Sequence, residues 1–251
     1  MTPRPPSPPV PAPQPDWAYF FDIDGTLVDL RDDPGGVRLD RELRALIAAL
    51  HGAAGGAVAL ISGRDIPDID ALMEGMKLPT AGQHGTERRD AAGRVTHHAV
   101  RTAQLDWAHD QIAAAAAKHP GLVLQHKGLT LALHYRRAPQ LAGYAHRLVR
   151  SLLPRLGKEY CMQRGKRIVE IKPAGKDKGA AVLEFMAEAP FRGRTAAFLG
   201  DDLTDEYGFA TVNRLKGHSI KVGPGPTAAR FRLRNVAAVR AWLEQAVSPS
   251  R

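Results

Sequence analysis

The sequence predicts an α/β fold: a doubly wound parallel sheet with a smaller α+β domain inserted into it. Three observations carry this. Short apolar runs alternate with helical patterns in the first and last thirds of the chain, the rhythm of βαβ units. Those runs are continuously apolar, as in strands covered on both faces. The middle third breaks the rhythm with pairs of adjacent short strands of the antiparallel kind.

In order, a strand is expected over 18–24, a helix over 39–53, a strand over 57–64 and a helix over 65–76. The middle third reads as a helix over 105–120, strands over 121–128 and 130–137, a helix over 139–156, and strands over 159–165 and 167–173. The core pattern then resumes with a helix over 178–190, a strand over 194–200, a helix over 206–215, a strand over 218–223 and a terminal helix over 236–247. This places a core at 17–99 and 174–251 and the inserted domain at 100–173. Residues 1–16 hold eight of the nineteen prolines and almost nothing able to enter a core, so a disordered tail is expected there.

Composition narrows the function classes. The 251 residues suffice for one large domain or for a core with a smaller partner. No run of about 18 apolar residues occurs, and the N-terminus lacks the basic, apolar and small-residue order of a secretory signal, so no membrane is expected and a cytoplasmic protein is. The single Cys161 can form no internal disulfide and reads as a small hydrophobe. A net charge of +9 suits an anionic partner. The excess is spread over dispersed arginines, Arg230, Arg232 and Arg234 among them, without interleaved aromatics, so solvated surface is the reading and no nucleic acid is expected. The sequence is compatible with a monomer.

The chemistry sits where apolar runs end. Tyr19-Phe20-Phe21 leads into Asp22, Asp24 and Gly25, which puts two carboxylates at the C-terminal end of a buried strand, the edge at which open parallel sheets bind ligands. Phe198-Leu199-Gly200 leads in the same way into Asp201, Asp202 and Asp205. Clustered carboxylates repel one another unless protonated or bridged by a cation, and hard oxygens with room for water and phosphate suit Mg²⁺.

These segments resemble the haloacid-dehalogenase-type (HAD) phosphatases, whose core is Rossmann-like. Their DxDGT opening matches Asp22 to Thr26, and their acidic GDxxxD cluster matches Gly200 to Asp205. Their Ser or Thr closing a second strand matches Ser62 in ALISGR, and their Lys matches Lys178 in GKDKGAAV, with Lys176 as its competitor. The resemblance implies that Asp22 is the nucleophile, that Asp24 acts as acid and base, and that Asp22, the Asp24 backbone carbonyl and Asp201 hold Mg²⁺ with support from Asp202 and Asp205. It also implies that Ser62 and Lys178 hold the transferring phosphoryl oxygens. Thr26 is expected to serve either its own turn or the phosphate.

AGQHGTERRDAAGRV, KGLTLALHYRRAP, VEIKPAGKDKGAAV and FLGDDLTDEYGFATVN resemble the bacterial single-domain trehalose-6-phosphate phosphatases, from about Tyr19 onward. That resemblance implies a sugar-phosphate substrate, trehalose 6-phosphate, in the last step of trehalose biosynthesis. Sugar-side ligands are expected at Lys127, His134, Arg164, Glu170 and Lys172 in the insertion, faced by Gln83, His84, Glu87 and Arg88 from the core. The bland alternatives are that polar residues on half-exposed strands point to water, that His84 before Gly85 serves a turn, and that His97 and His98 are surface. Rival functions are a sucrose-phosphate type phosphatase, a phosphohexomutase of the same superfamily, and a basic nucleic-acid or scaffold-binding protein on a degenerate phosphatase fold.

Overall fold

A computed structural model of the chain describes residues 8–30, 36–98, 102–165 and 167–247. The chain divides into two compact units, one of Met1–Val95 with Asp177–Arg251, the other of Thr96–Lys176. The boundary read at 99/100 and the first seven residues of the proline-rich tail lie outside the described residues.

The larger unit is built on β1 (Trp17–Phe21), α1 (Arg41–Ala53), β2 (Val58–Ile61), α2 (Ile66–Leu72), β3 (Thr80–Gly82) and β4 (Glu87–Arg89), and β5 (Val95–His97) straddles the division at Val95. The numbering continues through the smaller unit with α3 (Ala103–Lys118), β6 (Val123–Lys127), β7 (Thr130–His134), α4 (Ala142–Leu156), β8 (Tyr160–Gly165) and β9 (Ile168–Pro173). The chain then returns with α5 (Lys178–Met186), β10 (Thr195–Gly200), α6 (Asp205–Arg214), β11 (His218–Val222), β12 (Phe231–Leu233) and α7 (Val236–Val247).

The main sheet runs β12-β11-β10-β1-β2-β3-β4-β5. Every residue of β1 and β2 is buried, as continuous apolar runs in a doubly covered sheet require. β1 pairs in parallel with β2 on one side and with β10 on the other. The chain leaves β1 towards β2 and comes back on the opposite side, so the loops after β1 and β10 diverge and open a crevice at their carboxyl ends. The edge beyond β3 departs from the expectation of a purely parallel sheet, because β4 joins β3 antiparallel. Three-residue strands such as Glu87-Arg88-Arg89 carry no apolar run, so their period is invisible to pattern reading.

Helix starts are marked in the sequence. The Asp40 carboxylate accepts from Leu43 N–H at the N-cap of α1, Asp65 from Asp68 N–H at that of α2, and Asp177 from Ala180 N–H at that of α5.

The smaller unit is a four-stranded antiparallel sheet, β6-β7-β9-β8. Leu131, Leu133, Val169 and Ile171 on one face form its core with Leu105 and Ile112 of α3 and Val149 of α4. Register then assigns the other face: Ala132 opposes Glu170, and Gln163 opposes Glu170 from the far side.

The expected disordered tail is corrected from residue 10 onward. Val10 packs on the core, the Pro11 carbonyl accepts the Trp242 indole N–H at 2.8 Å, and the Gln14 carbonyl accepts the Tyr19 hydroxyl at 2.6 Å. Proline-rich backbone makes no internal hydrogen bonds, so its carbonyls are available to buried donors that must find an acceptor. The basic C-terminal stretch is partly structural as well: Arg232 donates to the Gly225 carbonyl at 2.7 Å and also to that of Gly223.

Candidate active site

The buried strands deliver acids to the crevice. Asp22 follows β1 directly, and its N–H continues the ladder onto Leu199 of β10 at 3.0 Å. Gly200 closes β10, and a Cβ there would lie 2.3 Å from the Asp205 carboxyl carbon, so glycine lets Asp205 fold back over the strand end. The second Asp205 oxygen accepts from the N–H groups of Asp201 and Asp202 at 2.9 and 2.8 Å, which shapes that acidic loop. Gly25 has φ +89°, and a Cβ on it would meet the Asp201 carboxylate at 2.3 Å, so the loop after β1 lies directly against Asp201.

Carboxylate oxygens of Asp22, Asp201 and Asp205 all lie within 4.8 Å of one another. Between Asp22 and Asp205 stands Lys178, the first residue of α5, its Nζ 2.6 Å from an oxygen of each. Burial pushes the Asp22 carboxyl well above the ordinary aspartate range; Lys178 pulls it down, and Asp205 and Asp201 push it further up. Burial on its own would lower the Lys178 ammonium, but Asp205 and Asp22 outweigh it and raise its pKa.

The donor set suits a hard divalent cation. Three carboxylates face Lys178 and the nearby Lys221, so negative charge is in excess. Asp205 accepts Lys178 on one oxygen and two backbone N–H groups on the other, a fuller set of donors than the ammonium and the 3.3 Å Thr26 hydroxyl on Asp22, so Asp205 is suited to support and Asp22 and Asp201 to hold a cation.

Ser62 closes β2 and is buried; its hydroxyl accepts the Arg64 N–H at 3.2 Å, which leaves its proton to donate. Asp24 is gripped by the Arg64 guanidinium at 2.6 and 2.7 Å. Arg64 has its pKa raised: burial opposes its charge, and the hydrogen bonds to Asp24 more than offset that. The Thr26 hydroxyl, expected to serve either its own turn or the phosphate, reaches an Asp22 oxygen at 3.3 Å and so braces Asp22.

Two core-side sugar candidates are corrected. Glu87 accepts the Ile66 N–H at 2.7 Å and so caps the start of α2. Arg88 pairs with Glu188, approaches Glu184 at 3.8 Å, and stacks 4.2 Å above Phe185, which ties β4 to α5. Both charges serve the fold. Gln83 and His84 keep their place beside the site: their N–H groups donate to the carbonyls of Arg64 and Ser62, and the His84 ring packs against Gly63. Both have left-handed backbone, φ 46° and 58°, and the buried Gln83 Oε1 has no hydrogen-bond partner among the described residues.

In the smaller unit, Glu170 and Lys172 are buried on one face of β9, and Lys172 donates to the Lys176 carbonyl. His134 shares that face and pairs with Gln125 at 3.0 Å. Lys127 ends β6; its side chain lies outside the described part of the structure. Arg164 is corrected: it opposes Val169, hence the helix-covered face, and its charge helps to lower the His146 pKa on α4 after burial, the larger cause. Its neighbour Gln163 is the residue on the Glu170 face, since strand neighbours point to opposite sides.

Sequence reading also passed over Arg64, although it stands two residues beyond Ser62. Lys221 of β11 was passed over too; it is buried and donates to the Asp201 carbonyl and, at 2.8 Å, to that of Val222.

The family model for trehalose-phosphatases matches residues 20–237. A trehalose-6-phosphate phosphatase of Escherichia coli (strain K12) is 44% identical over 228 residues, 91% of this chain and 85% of that protein. The chain belongs to the trehalose-phosphatase family. Among solved structures, the C-terminal domain of C. albicans trehalose-6-phosphate phosphatase matches with a TM-score of 0.82 at 22% identity, covering 91% of each chain. A haloacid dehalogenase-like hydrolase from B. subtilis matches with 0.64 at 13%, covering 91% of this chain and 98% of that one. At such identities the likeness concerns the fold, which is that of the HAD group.

Proposed function

We propose that this chain hydrolyses trehalose 6-phosphate to trehalose and phosphate, with Asp22 as a covalent nucleophile. One observation supports it most: Asp22, Asp201, Asp205 and Lys178 meet at the crevice of the sheet in a chain of the trehalose-phosphatase family. The phosphohexomutase and degenerate-scaffold readings find no favour there, since the family is one of phosphatases and the acids are intact.

In this reading an Asp22 oxygen attacks phosphorus, the bond from phosphorus to the sugar oxygen breaks, and Asp24 supplies the proton that the sugar oxygen takes. Water then attacks the aspartyl-phosphate, Asp24 takes its proton, and phosphate leaves. Lys178 favours the ionised form of Asp22, orients it and offsets charge on the phosphoryl oxygens, and Ser62 donates its hydroxyl to one of them. Mg²⁺, held by Asp22, Asp201 and the Asp24 carbonyl with Asp202 and Asp205 in support, would screen the repulsion between carboxylate and phosphate.

Glu170, Lys172, His134 and Lys127 are proposed to read the sugar hydroxyls, joined by Gln83 and His84, because carboxylates, amides and ammonium groups suit such donors and acceptors. Phosphate release from trehalose 6-phosphate, sucrose 6-phosphate and glucose 6-phosphate, with Mg²⁺ and with a chelator, tests the reading. Trehalose 6-phosphate should be preferred and the chelator should abolish turnover. Preference for another sugar, or chelator-resistant release, would sink it.

A further inference from the structure

Asp24 is not loose in the crevice. The Arg64 guanidinium meets its two carboxylate oxygens in parallel, Nε to Oδ2 at 2.6 Å and Nη2 to Oδ1 at 2.7 Å, across forty residues of sequence. The pair is partly sheltered, with side chains 12% and 28% exposed, so it exceeds an ordinary surface ion pair in worth. The same residue's N–H holds the Ser62 hydroxyl, and its carbonyl accepts Gln83 N–H. Arg64 therefore ties the loop after β1 to the loop after β2.

We propose that Arg64 is the positioning residue of the acid and base: its planar fork fixes the plane and direction of the Asp24 carboxylate while Asp24 exchanges a proton with the sugar oxygen and then with water. The inference rests on the reading of Asp24 given above. A carboxylate offers about four lone-pair sites, and a two-pronged guanidinium uses two, so a lone pair on each oxygen is left to carry a proton. A mount of this kind acts through orientation, where small misplacements are costly. A lysine, as a point charge, would keep the attraction and lose the fixed plane.

The test separates orientation of Asp24 from general support of the site. From trehalose 6-phosphate the sugar would leave as a poor alkoxide and needs the proton, whereas p-nitrophenyl phosphate releases the stable p-nitrophenolate and does not. kcat/KM reports the steps through phosphoryl transfer, before water attacks the intermediate. Wild type, Arg64→Gln, Arg64→Lys, Asp24→Asn and Asp24→Asn with Arg64→Gln are compared on both substrates, each shown folded by circular dichroism.

Arg64→Gln should lower kcat/KM on trehalose 6-phosphate by about 10²-fold, the low end of the acid–base range, and on the nitrophenyl ester by no more than about 3-fold. Arg64→Lys should fall between Arg64→Gln and wild type. The double variant should be no worse than Asp24→Asn alone, because the two residues act as a unit. Equal losses on both substrates, or losses that multiply in the double variant, would overturn the inference. If Asp24→Asn itself discriminates between the substrates and Arg64→Gln does not, only the mount falls. If Asp24→Asn does not discriminate, the acid–base reading falls and takes the mount with it.

Discussion

Lys178 Nζ lies 2.6 Å from Asp22 Oδ1, both groups buried and 156 residues apart in sequence, with Asp205 at the same distance on the other side of the ammonium. Removing the ammonium leaves two buried carboxylates facing each other. Lys178→Met should therefore destabilise the chain by about 3–5 kcal/mol in urea unfolding. It should also cut kcat by at least about 10²-fold. Adding Asp205→Asn to it should restore part of the stability and none of the activity; a stable, active Lys178→Met would remove the lysine from both roles.

Gly25 tests how closely the loop after β1 must approach Asp201. Gly25→Ala adds a methyl 2.3 Å from the Asp201 carboxylate at a backbone φ of +89°. Gly223→Ala serves as the control, with φ +76° and nothing within 4 Å. Both should lose about 1 kcal/mol through backbone strain. Only Gly25→Ala should also raise the Mg²⁺ concentration for half-maximal activity, and an unchanged value would show that the loop has room to give.

How far these groups could be read beforehand depends on what places them. Asp22, Asp201 and Ser62 end or follow apolar runs, and that pattern puts them at one sheet edge; Lys178 follows no such run, and only the family resemblance singles it out over Lys176. Lys221 looks like any lysine on a strand until the sheet order sets β11 beside β10, where its side chain reaches the Asp201 carbonyl. Gln163 and Arg164 are neighbours, and only the register of β8 on β9 decides which one joins Glu170. Glu87 and Arg88 carry the charges of sugar ligands, yet a helix start takes the one, and Glu184 of α5 with Glu188 just beyond that helix takes the other, contacts that exist only after folding.

The arm from Val10 to Gln14 should contribute stability without contributing to chemistry. Removing residues 1–15 takes away the carbonyl partners of Trp242 and Tyr19, together with the Val10 contact. At about 1 kcal/mol per hydrogen bond the loss is about 2 kcal/mol. Tm should fall by about 4–8 °C, and activity at room temperature should be retained; an unchanged Tm would mean the arm is dispensable.

His218 stacks on Trp17 with ring centroids 4.1 Å apart, and burial, followed by the Arg230 charge, lowers its pKa. Its folded-state value lies below the unfolded value of about 6.5, so the unfolded chain binds the proton more readily. The stability it secures is fully present above about pH 6.5 and declines as pH falls through the window down to the folded value. His218→Phe keeps an aromatic stack and removes the titration, so its Tm should fall less steeply between pH 7.5 and 5 than that of wild type. Identical slopes would show that His218 is not a source of the dependence.

Trapping the covalent intermediate tests the Asp22 nucleophile most directly. Enzyme turning over trehalose 6-phosphate with Mg²⁺ is quenched in acid, treated with borohydride to convert an acyl phosphate to the alcohol, and digested for mass spectrometry. The mass change expected for conversion of aspartate to homoserine should appear at position 22 alone, and Asp22→Asn should lose at least about 10³-fold in kcat. Modification at another aspartate, or undiminished turnover by Asp22→Asn, would contradict the account.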